Sequence, residues 1–282
     1  MVNVAVLMTC HNRRDKTITC LKEFFNTRKP KDHLFEIFLV DDGSTDGTKS
    51  AIETSFPKVR IIQGDGTLYW NQGMRLAWKT AIEKGNFDFF IWLNDDVILD
   101  KIALIELFES YHEILGKNAK ESIIVGACRI SDSEDIFSYG GRSENGKVIP
   151  NGEIQQCKYI NGNIVLIPHA VYSCLGNLSD SYTHAMGDFD YGLRAVNAGF
   201  KNYTTRCYIG SCEINNVQDC FNPAVSFRKR LKHFHSPNGL NIREYVVFRR
   251  KFWGNRWILD FFKAYIKVLF PQLYGRIKKD EF

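Results

Sequence analysis

Short apolar runs alternate along this chain with segments whose apolar residues recur every three or four positions. Val2 to Met8 is an unbroken run of strand length, and Asp15 to Thr27 then sets Ile18, Leu21, Phe24 and Phe25 at helical spacing. Glu36 to Val40 predicts a second strand, followed by a turn in which Ser44, Thr45 or Asp46 can N-cap a helix running to about Ser55. Val59 to Ile62 predicts a third strand, Asn71 to Lys84 a helix closed by Gly85, and Phe87 to Leu93 a fourth strand. Ile102, Ile105, Leu107, Phe108 and Ile114 mark a further amphipathic helix, and Ser122 to Cys128 a further strand. Such alternation implies an α/β fold, a mostly parallel, Rossmann-like sheet flanked by helices. Residues 131–158 are polar and rich in Gly and Ser, which suits hairpins or a loop over a site, before strand character returns between Lys158 and Ile167. Gly187 to Arg194 opens a helix that Gly199 ends.

Two of the apolar runs end on paired carboxylates. Phe35 to Val40 meets Asp41-Asp42-Gly43-Ser44, and Phe89 to Leu93 meets Asn94-Asp95-Asp96. Carboxylates at the end of a buried strand are costly unless a cation meets them. In an open α/β sheet ligands bind outside the carboxyl ends of the strands, so the second pair stands where a divalent metal could hold phosphates.

Composition narrows the classes. The chain has 282 residues and a net charge of +5, with 44% hydrophobic and 24% charged residues, as in ordinary globular proteins. From Val225 onward, however, 14 Lys and Arg face 4 Asp and Glu, a net of +10, which leaves the first 224 residues at −5. An acidic main body argues against a nucleic-acid footprint, whereas a basic, aromatic-rich tail suits an anionic surface. Arg256, Asp260, Lys263 and Lys267 fall on one face of a helix whose other positions are large and apolar, too interrupted by charge to span a membrane. Contact with a membrane interface, packing on the main domain, or a homodimer would each use such a helix. Arg228-Lys229-Arg230-Leu231-Lys232-His233-Phe234-His235 precedes it as a candidate phosphate contact. The eight cysteines show no C-x-x-C pair and no zinc spacing, and are expected to be reduced, mostly as small buried apolar residues. The first residues carry no basic leader, so the expected location is the cytoplasm, with the inner face of the cell membrane as a peripheral site.

Four ordered elements, Thr9-Cys10-His11-Asn12-Arg13, Val40-Asp41-Asp42-Gly43-Ser44, Leu93-Asn94-Asp95-Asp96 and Gly187-Asp188-Phe189-Asp190, resemble those of family 2 glycosyltransferases of the GT-A fold over roughly residues 2–200. The resemblance implies an inverting transferase that moves a sugar from a nucleoside-diphosphate donor, UDP- or dTDP-linked, to a glycan or lipid-linked acceptor in cell-surface polysaccharide synthesis. It implies contacts to base and ribose from Thr9, His11 and Asp42. Asp96 would bind Mg²⁺ or Mn²⁺ at the donor diphosphate, with Asp95 beside it contacting sugar or ribose, and Asp188 would be the catalytic base. The loop from Gly64 to Arg75 flanks the donor in this reading, making Trp70, Asn71 and Arg75 further candidates, Arg75 toward phosphate or an acidic sugar. The chemistry of the residues alone leaves Asp42 open as a turn cap, Asp95 or Asp96 as a helix N-cap, and Asp190 as a rival base.

The sequence departs from the family pattern at three places. Asn94 stands for the first Asp of the D-x-D element, Gly187 stands where a Glu is usual, and no His occurs in Tyr208 to Glu213, leaving Cys212, Glu213, His233 and His235 as substitutes. These departures leave open a nucleotide-sugar-binding scaffold without turnover, and a sugar nucleotidyltransferase, which uses a similar sheet and metal, is the other reading. Domain limits are expected at 1–215 for the catalytic part and 216–282 for the basic helical extension.

Overall fold

The computed structural model describes residues 1–118, 120–131, 134–214 and 219–272. Two compact units divide them, one of Met1–Asp180 with Gly187–Ile214, the other of Ser181–Met186 with the residues from Asn215 onward. The expected boundary between 215 and 216 lies outside the described residues.

The first unit begins with β1 (Val2–Cys10), α1 (Arg14–Asn26), β2 (His33–Asp41), α2 (Thr48–Ser55), β3 (Arg60–Gln63), α3 (Tyr69–Lys84) and β4 (Phe89–Leu93). Each is an element the hydrophobic pattern predicts, with small shifts at the ends. The N-cap of α2 is Gly47, at φ 83°, rather than Ser44, Thr45 or Asp46, although Asp46 Oδ1 accepts from the Thr48 N–H at 3.1 Å. Then come β5 (Ile98–Leu99), α4 (Ala103–Asn118), β6 (Ser122–Ser131), β7 (Glu134–Tyr139), β8 (Arg142–Ser143), β9 (Gly146–Lys147), β10 (Gln156–Cys157), β11 (Ile164–Pro168), α5 (His169–Leu175), α6 (Gly187–Asn197) and β12 (Lys201–Ser211). The polar stretch after residue 131 is indeed built of short hairpin strands, its residues 132 and 133 lying outside the described ones.

The main sheet runs β10-β12-β6-β11-β4-β1-β2-β3. Its β3-β2-β1-β4 half is parallel, as alternation with helices requires. Beyond β4 the sheet is mixed, because β11 is reached through hairpins rather than a helical crossover and runs antiparallel to both β4 and β6. Side chains leave alternate faces of each strand. Val4, Val6 and Met8 of β1 and Phe89, Ile91 and Leu93 of β4 pack with α1, α2 and α4, whereas Ala5, Leu7, Phe90 and Trp92 pack with α3, α5 and α6. A sheet covered on both faces explains why these strands are apolar throughout.

The parallel register brings several chain segments to one edge. Cys10 pairs with Asp41, Asp41 with Gln63, and Leu7 with Trp92, so β1, β2, β3 and β4 all end there. Antiparallel β11 starts there, Ile164 opposite Leu93, and β12 ends there with Ser211 opposite Arg129. Every loop with candidate chemistry therefore opens on the same side of the sheet.

The second unit holds α7 (Phe227–Phe234), α8 (Ile242–Trp253) and α9 (Trp257–Leu269) around Cys220, Phe234, Ile242, Ala264 and Val268. Of the charged face expected on α9, Asp260 turns inward while Arg256 and Lys263 are exposed. Asp260, Ala264 and Val268 face inward, and Asp260 is buried because the Arg249 guanidinium of α8 meets it, Nε to Oδ2 at 2.7 Å. Ile258, Leu259, Phe262, Ile266, Leu269 and Phe270 are exposed, Leu259 at 61%. No helix among the described residues is long and apolar enough to cross a membrane.

Candidate active site

The loops after β1 and β2 are stitched together before any ligand is considered. Asn12, in the left-handed region at φ 50°, donates its N–H to Ser44 Oγ (2.9 Å) and accepts from the Thr45 N–H (2.7 Å), while the Arg14 N–H donates to Asp46 Oδ2 (2.9 Å). His11 Nδ1 lies 2.5 Å from the Asp42 carbonyl oxygen. A carbonyl only accepts, so Nδ1 carries the proton and Nε2 accepts from the Asn12 amide at 3.1 Å. The ring is exposed but oriented, and Thr9 is half-buried at the end of β1, opposite Val40.

Asp42 is almost fully buried, and three backbone N–H groups take up its carboxylate: Gly66 at 2.8 Å, Leu68 at 2.9 Å and Tyr69 at 2.9 Å. It thus caps the first turn of α3 and shapes the loop from Gly64 to Tyr69. Asn71 and Arg75 face residues 177–179: the Asn71 amide donates to the Ser179 carbonyl at 2.9 Å, and the Arg75 guanidinium donates to the Leu178 carbonyl.

A relay of amides spans the next two loops. The Trp70 indole N–H donates to Asn94 Oδ1 at 2.6 Å, the Asn94 amide donates to Asn163 Oδ1, and the Asn94 backbone N–H donates to the Asn163 carbonyl at 3.0 Å. An amide at position 94 serves both directions, since it accepts from the indole and donates to Asn163, which a carboxylate could not do. Gly162, between Asn161 and Asn163, lies against Trp70: a Cβ there would fall 2.3 Å from the indole. The Gly162 N–H in turn donates to Asp188 Oδ2 at 3.0 Å, and the Phe189 N–H to Asp188 Oδ1 at 2.8 Å. Asp188, in the first turn of α6, is thereby tied through the 161–163 loop to the end of β4.

The acidic pair itself is buried. Asp95 is 3% exposed and the Asp96 side chain 10%, and one guanidinium meets both, Arg13 Nη1 reaching Asp95 Oδ1 at 3.0 Å and Nη2 reaching Asp96 Oδ2. The Thr17 hydroxyl is shared between Asp95 Oδ2 at 3.2 Å and the Arg13 carbonyl at 3.0 Å, and the Cys212 thiol lies 3.6 Å from Asp96 Oδ1. Burial pushes the Asp95 carboxyl up to about 7; Arg13 opposes the shift and Asp96 adds to it. Burial likewise raises Asp188 to about 6, against the pull of its backbone N–H partners.

Residues 5–172, more than half of the chain, match the sequence profile of Glycosyl transferase family 2. The chain belongs to that family. No curated protein matches its sequence. Among solved structures, a mannosyltransferase from Pyrobaculum calidifontis in complex with GDP-Man and Mn²⁺ superposes with a TM-score of 0.55 at 13% identity, over 93% of this chain and 73% of the other. Residues 1–349 of S. aureus TarS in complex with UDP give 0.53 at 13% identity, over 90% and 73%. GalNAc-T7 with UDP, GalNAc and Mn²⁺ gives 0.63 at 13% identity, over 90% of this chain and 49% of that one. The fold is GT-A, with the helical extension appended.

The three departures from the family pattern have local causes. Asn94 is the two-way amide of the relay. Gly187 has no space for a side chain, because a Cβ would sit 1.8 Å from Asn71 Oδ1. Cys212, one of the substitutes for the missing His, has its thiol beside Asp96. Asp190 is fully buried and paired with Arg194, whose Nε lies 2.7 Å from its Oδ2 and whose other nitrogens donate to the Leu175 and Asn177 carbonyls. That arrangement holds α6 against the segment after α5 and shields Asp190 from solvent. Arg13 and Asn163 are the site residues to which motif reading alone gave no role.

The Asp95 and Asp96 carboxylates are hard oxygen donors, the chemistry that Mg²⁺ and Mn²⁺ select. No group of three acidic, His or Cys side chains among the described residues forms a complete cation cage. This is compatible with a cation that takes most of its shell from phosphate and water, as Mg²⁺ does in substrate-phosphate sites.

The relay yields a stability prediction. Asn94→Asp replaces a donor to Asn163 with a third carboxylate beside Asp95 and should destabilise the fold by about 1–3 kcal/mol. A urea midpoint equal to that of the unaltered protein would show that the relay contributes nothing.

Proposed function

We propose that this protein is an inverting sugar transferase acting on a nucleoside-diphosphate sugar, with Asp188 as the base that deprotonates the acceptor hydroxyl. The observation that carries this reading is the contrast between the two carboxylates of α6: Asp190 is locked to Arg194, while Asp188 is partly exposed and held by two backbone N–H groups near the end of β4. A base needs a fixed carboxylate with affinity for a proton, and Asp188, raised to about 6, has both.

In this reading the acceptor oxygen attacks the anomeric carbon, the new C–O bond forms as the bond to the donor phosphate breaks, Asp188 takes the hydroxyl proton, and the nucleoside diphosphate leaves with the bonding electron pair. One displacement without an enzyme nucleophile inverts the anomeric centre. Asp96, with Asp95 beside it, would hold Mg²⁺ or Mn²⁺, which when bound supplies positive charge for the departing diphosphate. The loops carrying Thr9, His11 and Asp42 form the wall for base and ribose, with Asp42 acting through the backbone it shapes. Trp70, Asn71 and Arg75 position the neighbouring segments. The structural neighbours were solved with GDP-Man, UDP and UDP-GlcNAc, which supports a nucleoside-diphosphate sugar as donor; we assign a UDP- or dTDP-linked hexose.

For the acceptor we propose a glycan on a lipid carrier at the cytoplasmic face of the membrane, in cell-surface polysaccharide synthesis. Its support is α9, whose exposed apolar row lies beside Arg256 and Lys263, both exposed. Six large apolar side chains on one short stretch form the kind of patch that marks an interaction surface, and the basic flank favours an anionic one. We assign residues 216–282 to this docking role and residues 1–215 to catalysis.

Three outcomes are expected. Asp188→Asn should lower release of nucleoside diphosphate from the matching sugar nucleotide plus acceptor by about a hundredfold or more, while leaving the affinity for the nucleoside diphosphate within about threefold. Equal turnover would remove Asp188 as base. Because only the carboxylate can accept a proton, kcat/KM should fall about tenfold per pH unit below about 6 and level off above it. A profile flat down to about pH 4.5 would contradict that assignment. Leu259→Asn combined with Phe262→Asn should reduce co-sedimentation with anionic phospholipid vesicles without lowering the melting temperature of the protein. Unchanged vesicle binding would reject the docking role, and loss of a dimer instead would assign the face to a second copy.

A further inference from the structure

The acidic pair already has a cation. Asp95 and Asp96 are adjacent, nearly buried carboxylates, and two uncompensated charges in such a place would cost several kcal/mol each by order of magnitude. Arg13 meets both with one forked group, its Nη1 on Asp95 and its Nη2 on Asp96. It comes from the loop between β1 and α1, where its backbone takes φ −136° and ψ 38°, just outside the helix. The side chain remains 35% exposed, which gives the guanidinium a path away from the pair.

The two carboxylates differ in what they keep if that path is taken. Asp95 retains the Thr17 hydroxyl at 3.2 Å. Asp96 retains only the Cys212 thiol at 3.6 Å, a weak donor, among the described residues. Departure of Arg13 therefore exposes the need of Asp96 for a cation far more than that of Asp95.

Charge counting then sets an order. With both carboxylates ionised, the pair with Arg13 carries a net −1, and a divalent cation added beside Arg13 would bring the cluster to +1, with two like charges at close range in a poorly hydrated site. A diphosphate reverses this, because it gives the guanidinium a second anion to fork onto and the divalent cation further oxygen ligands.

Building on the transferase reading above, we propose that Arg13 is the resident counter-cation of the acidic pair, occupying it in the free protein and transferring to the donor diphosphate when the sugar nucleotide binds, so that cation and donor load together. Arg13 is in this account a positioning and gating residue for the pair and a direct contact of the diphosphate. Its effect is to keep a free divalent cation off Asp96 until a donor is present.

The test is Mn²⁺ binding to the intact protein, followed by the electron paramagnetic resonance signal of free Mn²⁺, without nucleotide and with UDP, dTDP or GDP in turn. The unaltered protein should bind Mn²⁺ weakly alone and more tightly with the matching nucleotide. Arg13→Gln should bind Mn²⁺ alone at least about tenfold more tightly than the unaltered protein, since the competing charge is gone, and its affinity for the nucleotide should fall. Arg13→Lys, which keeps a charge but cannot fork between two carboxylates, should fall between them and serves as the second variant if Arg13→Gln does not fold. If the variants and the unaltered protein bind Mn²⁺ alone with equal affinity while nucleotide still tightens it, the gating role of Arg13 is wrong and the transferase site stands. If none of them binds Mn²⁺ with any of the three nucleotides, the cation site and the inference fall together.

Discussion

Charge balance at the end of β4 is the constraint on which the rest of the site depends. The strand is apolar because both faces of the sheet are covered, so the residues that follow it emerge from a dry interior directly into Asp95 and Asp96. The fold can keep them there only by bringing a cation, and it does so from the next loop along the same edge of the sheet, through Arg13. Much of the surrounding loop structure supports that encounter. Asn12 and Arg14, on either side of Arg13, are fastened to Ser44, Thr45 and Asp46 of the neighbouring loop, which fixes where the arginine starts.

The same edge ties the proposed base to the strand end that carries the acidic pair. Trp70, Asn94, Asn163, Gly162 and Asp188 form a continuous set of hydrogen bonds and contacts across two loops and the first turns of α3 and α6. A shift of any one loop would change the placement of the others, so the two chemical centres are coupled by geometry rather than by long-range charge. Sites supported in this way, with polar side chains committed to holding backbone, place reactive groups more accurately than mobile loops can. Asp42, Asn71 and Arg75 belong to that support: each commits polar atoms to the backbone of a neighbouring loop.

Much of this was readable in the sequence. The parallel half of the sheet follows from apolar runs alternating with helical periodicity, and the strand ends at Asp41 and Asn94 mark the site side. β12 escaped because its buried positions include Asn202, Thr204 and Thr205, polar residues that break the apolar signature of a strand. The short α5 offers too few turns for a periodic signal. Asp42 illustrates a different limit, since a carboxylate that caps a loop and one that meets a ribose look the same in sequence. The inward face of α9 depends on Arg249, a partner on another helix that periodicity within α9 cannot register. Arg13 was legible in principle: burying two adjacent carboxylates demands a cation, and the loop after the adjoining strand supplies it. Gly187 and Asn94, by contrast, look like defects of a motif until their neighbours Asn71 and Trp70 are seen.

The central claim is that this edge of the sheet is a pocket for a nucleoside diphosphate whose charge is met by a divalent cation. The most direct measurement is the melting temperature of the protein with UDP, dTDP and GDP, each with and without Mn²⁺, because a ligand that binds only the folded state raises it. The account predicts a rise with one base that is larger when Mn²⁺ is present than the sum of the separate effects. The absence of any shift with all three nucleotides, with Mn²⁺ or without it, would contradict it.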